Sequence, residues 1–265
     1  MNGVASIIFA AGRGTRMAGY GANKTLLPLI PGQSPFDGSR SLIREVLDNL
    51  PPGPRGIVVN YRQEEVRRAT EAPGISYIPQ PVINGTGGAL LAAHSFLDST
   101  DANKVIITMG DVPLIQPTTY SRLLDLLDRY ELALLGFECN DRAQYGMIET
   151  DGERVRGIVE WKYWKDFPPE RQSGLRYCNA GVYAARRTTL LRYMDKMAER
   201  PHEVRKLLNG DWVTIKEYFL TDLAEMMNRD GLPVAMTPVP EEEATGVDSP
   251  ESLVAVQKVY ARLHG

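Results

Sequence analysis

A short apolar run, Val4 to Phe9, leads directly into the turn Ala10-Ala11-Gly12-Arg13-Gly14-Thr15, and this junction limits the possible folds more than any other feature. A strand without polar alternation is buried on both faces, so it needs a covering layer on each side. The segments that follow supply those layers. Leu42, Val46, Leu47 and Leu50 recur at helical spacing until Pro51-Pro52-Gly53-Pro54 stops the helix. Ile57 to Val59 reads as a strand, Gln63 to Thr70 as a charged helix and Ile75 to Ile78 as another strand. Gly85-Thr86-Gly87-Gly88 opens a helical stretch, Ala89 to Leu97, and Val105 to Met109 is the next buried strand. The Pro- and Gly-rich stretch from Pro28 to Gly38 reads as a loop. This alternation predicts an α/β fold with a doubly wound, mainly parallel sheet.

The second half has a different pattern. Gly146 to Glu149 and Val155 to Glu160 flank Asp151-Gly152, which signals a hairpin. Arg176 to Tyr183 reads as a strand, Thr188 to Glu199 as a helix, and a further helix runs from near Thr221 to Gly231. Val234 to Val239 is a late strand, and Pro250 to Leu263 a closing helix with proline at its start. No repeat or low-complexity linker divides the chain. The expected organisation is one domain over residues 1–265, with a nucleotide-binding half to about residue 115 and a substrate half beyond it.

Thirty Lys+Arg against 33 Asp+Glu leave a net charge of −3, without the basic surplus of a dedicated nucleic-acid binder. No apolar run approaches the ~20 residues of a membrane helix, and the first residues lack a signal-peptide pattern. Two cysteines and three histidines show neither a disulfide framework nor zinc spacing. The expectation is a cytoplasmic protein with no membrane or nucleic-acid partner.

The glycine turn is suited to phosphate. Glycines let successive backbone N–H groups face an anion, and Arg16 and Lys24 add positive charge. It is not a P-loop, since no Gly-Lys-Ser/Thr closes it, and Met17 stands where a dinucleotide fingerprint needs glycine. A tight strand-to-helix turn with solvent-facing cations would look the same.

Read as one string, Phe9-Ala10-Ala11-Gly12-Arg13-Gly14-Thr15-Arg16-Met17 followed by Lys24-Thr25-Leu26-Leu27-Pro28-Leu29 closely resembles the signature of the nucleoside-diphosphate-sugar pyrophosphorylases. Within that family the resemblance is to the N-terminal uridylyltransferase domain of the bacterial bifunctional N-acetylglucosamine-1-phosphate enzyme. It continues in order through Gln80-Pro81-Val82-Ile83-Asn84-Gly85-Thr86-Gly87, Gly110-Asp111-Val112-Pro113-Leu114, Tyr145-Gly146-Met147-Ile148 and Gly157-Ile158-Val159-Glu160. Asn179-Ala180-Gly181-Val182, Glu217-Tyr218-Phe219-Leu220-Thr221-Asp222 and Gly246-Val247-Asp248 complete it.

The resemblance implies a Rossmann-like sheet with the site along the carboxyl ends of its strands. It also implies a Mg²⁺-dependent reaction in which UTP and a sugar 1-phosphate, favoured as N-acetylglucosamine 1-phosphate, give a UDP-sugar and pyrophosphate. Arg16, Lys24 and Asp111 would be the catalytic residues. Ala10, Ala11, Gly12, Gly14, Lys24, Gln80, Gly85 and Thr86 would hold the nucleotide, and Gly146, Glu160, Asn179 and Thr221 the sugar. Asp111 and Asp248 would hold Mg²⁺, a hard cation suited to a carboxylate or two plus substrate phosphates.

Each residue also has a plain structural reading. Asp111 could cap a turn, Asp248 could cap the helix that begins at Pro250, and Thr86 could cap the helix after it. Glu160 could be a solvated strand end, Asn179 a turn, and Trp161, Tyr163 and Trp164 are expected to pack the hairpin against the core. Three departures from the resembled domain stand out. Met109 replaces a tyrosine, the Pro31 to Ser41 loop is longer, and no hexapeptide repeat is present, so acetyl transfer is not expected. The alternatives are another nucleotide and phosphorylated acceptor, or a sugar-nucleotide sensor without activity.

Overall fold

The computed structural model describes residues 3–14, 17, 20–138, 142, 144–208 and 211–265. The first half runs through β1 (Val4–Phe9), a single 3₁₀ turn (Lys24–Leu26), β2 (Pro28–Pro31), β3 (Gly38–Ser41), α1 (Leu42–Asn49) and β4 (Arg55–Val59). It continues with α2 (Gln63–Thr70), β5 (Ile75–Pro79), α3 (Thr86–Ala92), α4 (His94–Asp98) and β6 (Lys104–Met109). Next come α5 (Pro117–Leu126), β7 (Leu132–Phe137), β8 (Met147–Asp151), β9 (Arg154–Val159), α6 (Trp161–Trp164), α7 (Pro169–Ser173) and β10 (Tyr177–Arg186). The chain closes with α8 (Arg187–Ala198), β11 (His202–Leu208), β12 (Asp211–Glu217), α9 (Asp222–Arg229), β13 (Val234–Pro238), α10 (Glu241–Ala244) and α11 (Pro250–His264).

A nine-stranded sheet in the order β5-β4-β1-β6-β10-β7-β13-β9-β8 forms the centre. The first four strands are parallel to one another, as the strand–helix alternation predicts. Beyond β6 the sheet becomes mixed: β10 runs antiparallel to both β6 and β7, whereas β13 is parallel to β7. Successive residues of β1 face opposite layers, since side chains alternate along a strand. Ile8 joins Ile43, Val46, Leu47, Tyr120 and Leu123 from α1 and α5 on one face. Ile7 and Phe9 join Leu90, Leu190, Tyr193, Leu223 and Met227 from α3, α8 and α9 on the other. Both layers are therefore helical, which explains why β1 reads as a continuous apolar run. Among the described residues no helix is long and apolar enough to cross a membrane.

The Pro28 to Gly38 stretch is not a loop throughout. Pro28–Pro31 and Gly38–Ser41 pair as an antiparallel hairpin. Proline can stand in such a ribbon because neither strand is central to a sheet. Leu29 is buried in a third cluster with Leu27, Leu42, Val247 and Leu253, and the Gln257 amide of α11 donates to the Pro28 and Pro35 carbonyls at 2.8 Å each. The helical stretch expected at Ala89 to Leu97 begins earlier, at Thr86, and is interrupted at Ala93, whose backbone leaves helical geometry.

Candidate active site

The strand order places the site. β4 and β5 lie on one side of β1 and β6 on the other, so the chain changes direction across the sheet at β1. In open α/β sheets the crevice at such a reversal, outside the carboxyl ends of the strands, is where ligands bind. Phe9 pairs with Met109 at the ends of β1 and β6, and the Gly110 N–H donates to the Phe9 carbonyl at 2.9 Å. A side chain at Gly110 would come 3.0 Å from Thr25 and 3.1 Å from that carbonyl, so glycine permits the close approach.

A cavity of about 290 Å³ opens at this point. Ala10, Ala11 and Gly12 line it from the turn after β1, and Gln80, Gly85 and Thr86 from the segment between β5 and α3. Lys24 and Asp111 are also in its lining. Gly14 is not; its backbone has φ +61°, and a Cβ there would press on the Lys24 stem at 3.2 Å. Gly14 thus shapes the bed of Lys24. Arg16 lies outside the described residues. Phe9, Ile83, Ala89 and Met109 supply apolar lining.

Asn23 is another residue that the sequence does not reveal. It is fully buried, and its Nδ2 donates to the Ala10 and Tyr61 carbonyls at 2.9 Å each. Its Oδ1 accepts from the Thr25 N–H and hydroxyl, capping the turn that carries Lys24. One amide thereby ties the glycine turn to the lysine segment.

Lys24 ends between two carboxylates. Its ammonium contacts Asp111 and donates to Asp248 Oδ1 at 2.8 Å. Burial works against its charge, but Asp111 and then Asp248 more than offset this, and its pKa rises above the ordinary lysine value. The ammonium therefore stays protonated across the physiological range. Asp111 and Asp248 are brought together by the main chain, since the Val247 N–H donates to the Asp111 carbonyl at 2.9 Å. Asp248 does not cap α11. Ser249 does so, in a reciprocal capping box with Ser252, and the Asp248 carboxylate turns to Lys24 instead. Among the described residues no group of three or more His, Cys, Asp or Glu could hold a metal. A pair of hard oxygen donors fits an ion that completes its coordination on substrate phosphates and water.

In the segment between β5 and α3, Gln80 is buried, and its Nε2 donates to Asn84 Oδ1 at 3.1 Å and to the Gly85 carbonyl at 3.4 Å. The glycines of this segment serve a second purpose. The Tyr218 N–H donates to Asn84, the Gly87 N–H donates to Tyr218, and the Leu220 N–H donates to the Thr86 hydroxyl. Thr86 is thus the acceptor for a neighbouring segment rather than the cap of α3.

The four residues assigned to the sugar also meet, outside the lining of the cavity. The Asn179 N–H donates to the Gly146 carbonyl at 2.8 Å, and the Thr221 hydroxyl donates to Glu160 Oε1 at 2.7 Å. A Cβ on Gly146 would lie 3.8 Å from Glu160 Oε2. Asn179 stands at an irregularity in the β10–β7 pairing, where Gly181 adopts φ +73° and its N–H donates to Asn179 Oδ1. Asn179 Nδ2 donates to the Tyr183 hydroxyl at 2.8 Å. Burial first, and then the Glu160 and Asp222 charges, push the Tyr183 phenol above its ordinary range, so it remains neutral. Met109 joins the two regions, lining the cavity and packing against Gly181, where a Cβ would lie 3.1 Å from its Cε. Of the aromatics after β9, Trp164 is buried and donates to the Tyr145 carbonyl, Trp161 packs on the same core, and Tyr163 is exposed.

Comparison with known proteins agrees with this geometry. The model of the MobA-like NTP transferase domain matches residues 6–209. The chain is 30% identical over 258 residues to the bifunctional protein GlmU of Ruegeria sp., covering 97% of this chain and 52% of that protein. It is 31% identical over 261 residues to GlmU of Chromohalobacter salexigens, with 97% and 51% covered. It therefore spans about half the length of these relatives. A solved uridine diphosphate N-acetylglucosamine pyrophosphorylase from Trypanosoma brucei superimposes with a TM-score of 0.68 at 15% identity, over 96% of this chain and 64% of that one, which is a likeness of fold. The match over most of the chain and the arrangement at the β1–β6 crevice lead to one assignment: the chain belongs to the family of MobA-like NTP transferase domains.

Proposed function

We propose that the chain transfers a uridylyl group from UTP to a sugar 1-phosphate, favouring N-acetylglucosamine 1-phosphate, and releases pyrophosphate. The observation that carries this reading is the crevice where Lys24, Asp111 and Asp248 meet between a glycine turn and the Gln80–Thr86 segment. In such a reaction a sugar-phosphate oxygen bonds to the α-phosphorus as the bond to the pyrophosphate oxygen breaks. Alignment and charge neutralisation are what the protein must provide, not a nucleophile. The amides of the turn and the Lys24 ammonium would hold the triphosphate, with Arg16 as a further candidate. Mg²⁺ bound by Asp111 and Asp248 would neutralise charge on the phosphate oxygens.

Uracil is favoured by Gln80. Its Nε2 is engaged within the protein, which leaves Oε1 to accept from a base. Uracil offers an N–H at its third ring position, whereas cytosine offers only an acceptor there. Glu160, Asn179, Thr221 and Gly146 would line the sugar, residues 1–115 serving the nucleotide and 116–265 the sugar phosphate, with Asp248 reaching back to the first set. Both the relationship to GlmU and the fold shared with a UDP-N-acetylglucosamine pyrophosphorylase support the acceptor. Met109, a thioether at the border of the two regions, makes glucose 1-phosphate the comparison to run beside it. The test is pyrophosphate release from each nucleoside triphosphate with a panel of sugar 1-phosphates and Mg²⁺. UTP with N-acetylglucosamine 1-phosphate should be fastest. Preference for another base would overturn the uridine assignment, and inactivity with every pair would favour a sensor.

A further inference from the structure

We infer that in the free protein the Lys24 ammonium holds the place of the divalent ion, so that the ion enters with the triphosphate and not before it. This rests on the reading of Asp111 and Asp248 as the metal carboxylates. Both carboxylates already touch one cation: Lys24 contacts Asp111 and lies 2.8 Å from Asp248, with only 16% of its side chain exposed. An arriving ion would meet two carboxylates that an ammonium already engages. That ion would share its oxygens with a like charge in a partly desolvated crevice, where such repulsion is strong. The triphosphate removes the conflict, because its oxygens offer the ammonium another partner near the glycine turn. The Lys24 stem lies against Gly14, so the exchange needs only the end of the side chain to turn.

The carboxylate pair does not depend on the lysine for its assembly. The Val247 N–H to Asp111 carbonyl bond joins the two segments through the main chain, and the capping box at Ser249 fixes the start of α11 next to Asp248. Removing the ammonium should therefore leave the segments that carry Asp111 and Asp248 side by side.

The experiment is a Mn²⁺ titration followed by electron paramagnetic resonance, without nucleotide, on the wild-type chain, Asp111→Asn, Lys24→Gln and Lys24→Gln/Asp111→Asn. Lys24→Gln should bind Mn²⁺ roughly tenfold or more tightly than the wild type, and the added Asp111→Asn should abolish the gain. Lys24→Met, which removes the same charge, should reproduce it. Mn²⁺ alone should raise the melting temperature of Lys24→Gln and of Lys24→Met and leave that of the wild type unchanged, because only a ligand of the folded state stabilises it. Wild-type binding as tight as that of Lys24→Gln, and lost with Asp111→Asn, would overturn the inference while keeping the metal assignment. Mn²⁺ binding indifferent to Asp111→Asn in every protein would remove both.

Discussion

Asp111 and Asp248 share one ammonium but not one environment, as side-chain exposures of 14% and 36% indicate. Asp111 stands in the turn after β6 with little exposure, where loss of charge cannot be made good by water. Asparagine at 248 keeps an oxygen that can face a cation. Asp111→Asn should lower kcat/KM by about 10²–10³, as removal of transition-state charge stabilisation commonly does, and Asp248→Asn by much less. Steady-state rates beside a melting curve check this, and near-wild-type rates for both would remove their role. Asn23 gives the second prediction at this scale. Asn23→Ala leaves the Ala10 and Tyr61 carbonyls without their donor in a buried position. At ~1–3 kcal/mol for each of the two unsatisfied groups, unfolding in denaturant should show a loss of about 2–6 kcal/mol. The KM for UTP should rise as well, because the glycine turn loses its tie. The two aspartates are legible in the sequence because each sits in a motif beside glycine or valine. Asn23 is not, since an asparagine before a lysine looks like any turn residue.

At the level of elements, the irregular start of β10 and the end of β9 bring Asn179 and Glu160 to one place. If they grip the acceptor, Glu160→Ala and Asn179→Ala should each raise the KM for the sugar phosphate about five- to 150-fold, the equivalent of ~1–3 kcal/mol. The KM for UTP should move little, and kinetics with each substrate varied in turn would show it. An effect confined to UTP would refute the sugar assignment. Elements were legible in proportion to how strongly one face is buried. β1, β4 and β6 and the β8–β9 hairpin stand where their patterns predict. No element is evident by pattern between Leu114 and Gly146, yet α5 and β7 lie there. Leu132 to Phe137 is buried throughout, and a short apolar run does not distinguish strand from helix. The β11–β12 hairpin escaped for the opposite reason: most of β12 is exposed, so no buried face imposes a period of two. The antiparallel entry of β10 is set by which strand it joins, which spacing along the chain does not encode.

Across the whole molecule, the segment from Tyr218 to Thr221 joins what the motifs suggest are separate halves. It is bonded to Asn84, Thr86 and Gly87 at the cavity and, through Thr221, to Glu160 among the proposed sugar residues. Gly87 tests whether this strap couples the two substrates. A Cβ there would lie 2.7 Å from the Tyr218 carbonyl carbon and 2.8 Å from the Phe219 nitrogen, both backbone atoms that cannot rotate away. In an isolated helix Ala is better than Gly by ~1 kcal/mol. Overpacking against fixed atoms costs ~1–3 kcal/mol, so the clash should win and the strap should lift from α3. Lifting it strains the Leu220 to Thr86 bond at one end and shifts Thr221 from Glu160 at the other. Gly87→Ala is therefore expected to raise the KM for UTP and for the sugar phosphate together, each by roughly fivefold or more, the equivalent of about 1 kcal/mol at both sites. Glu160→Ala, by contrast, is expected to raise the KM for the sugar phosphate alone. Equilibrium binding of each ligand alone to the Gly87→Ala protein separates coupling from a general loss of fold, with circular dichroism as the control. If only UTP binding weakens, the strap belongs to the nucleotide site and the halves respond independently. If both weaken in parallel while the melting transition stays cooperative, a residue in the nucleotide segment controls the sugar pocket through four residues of backbone.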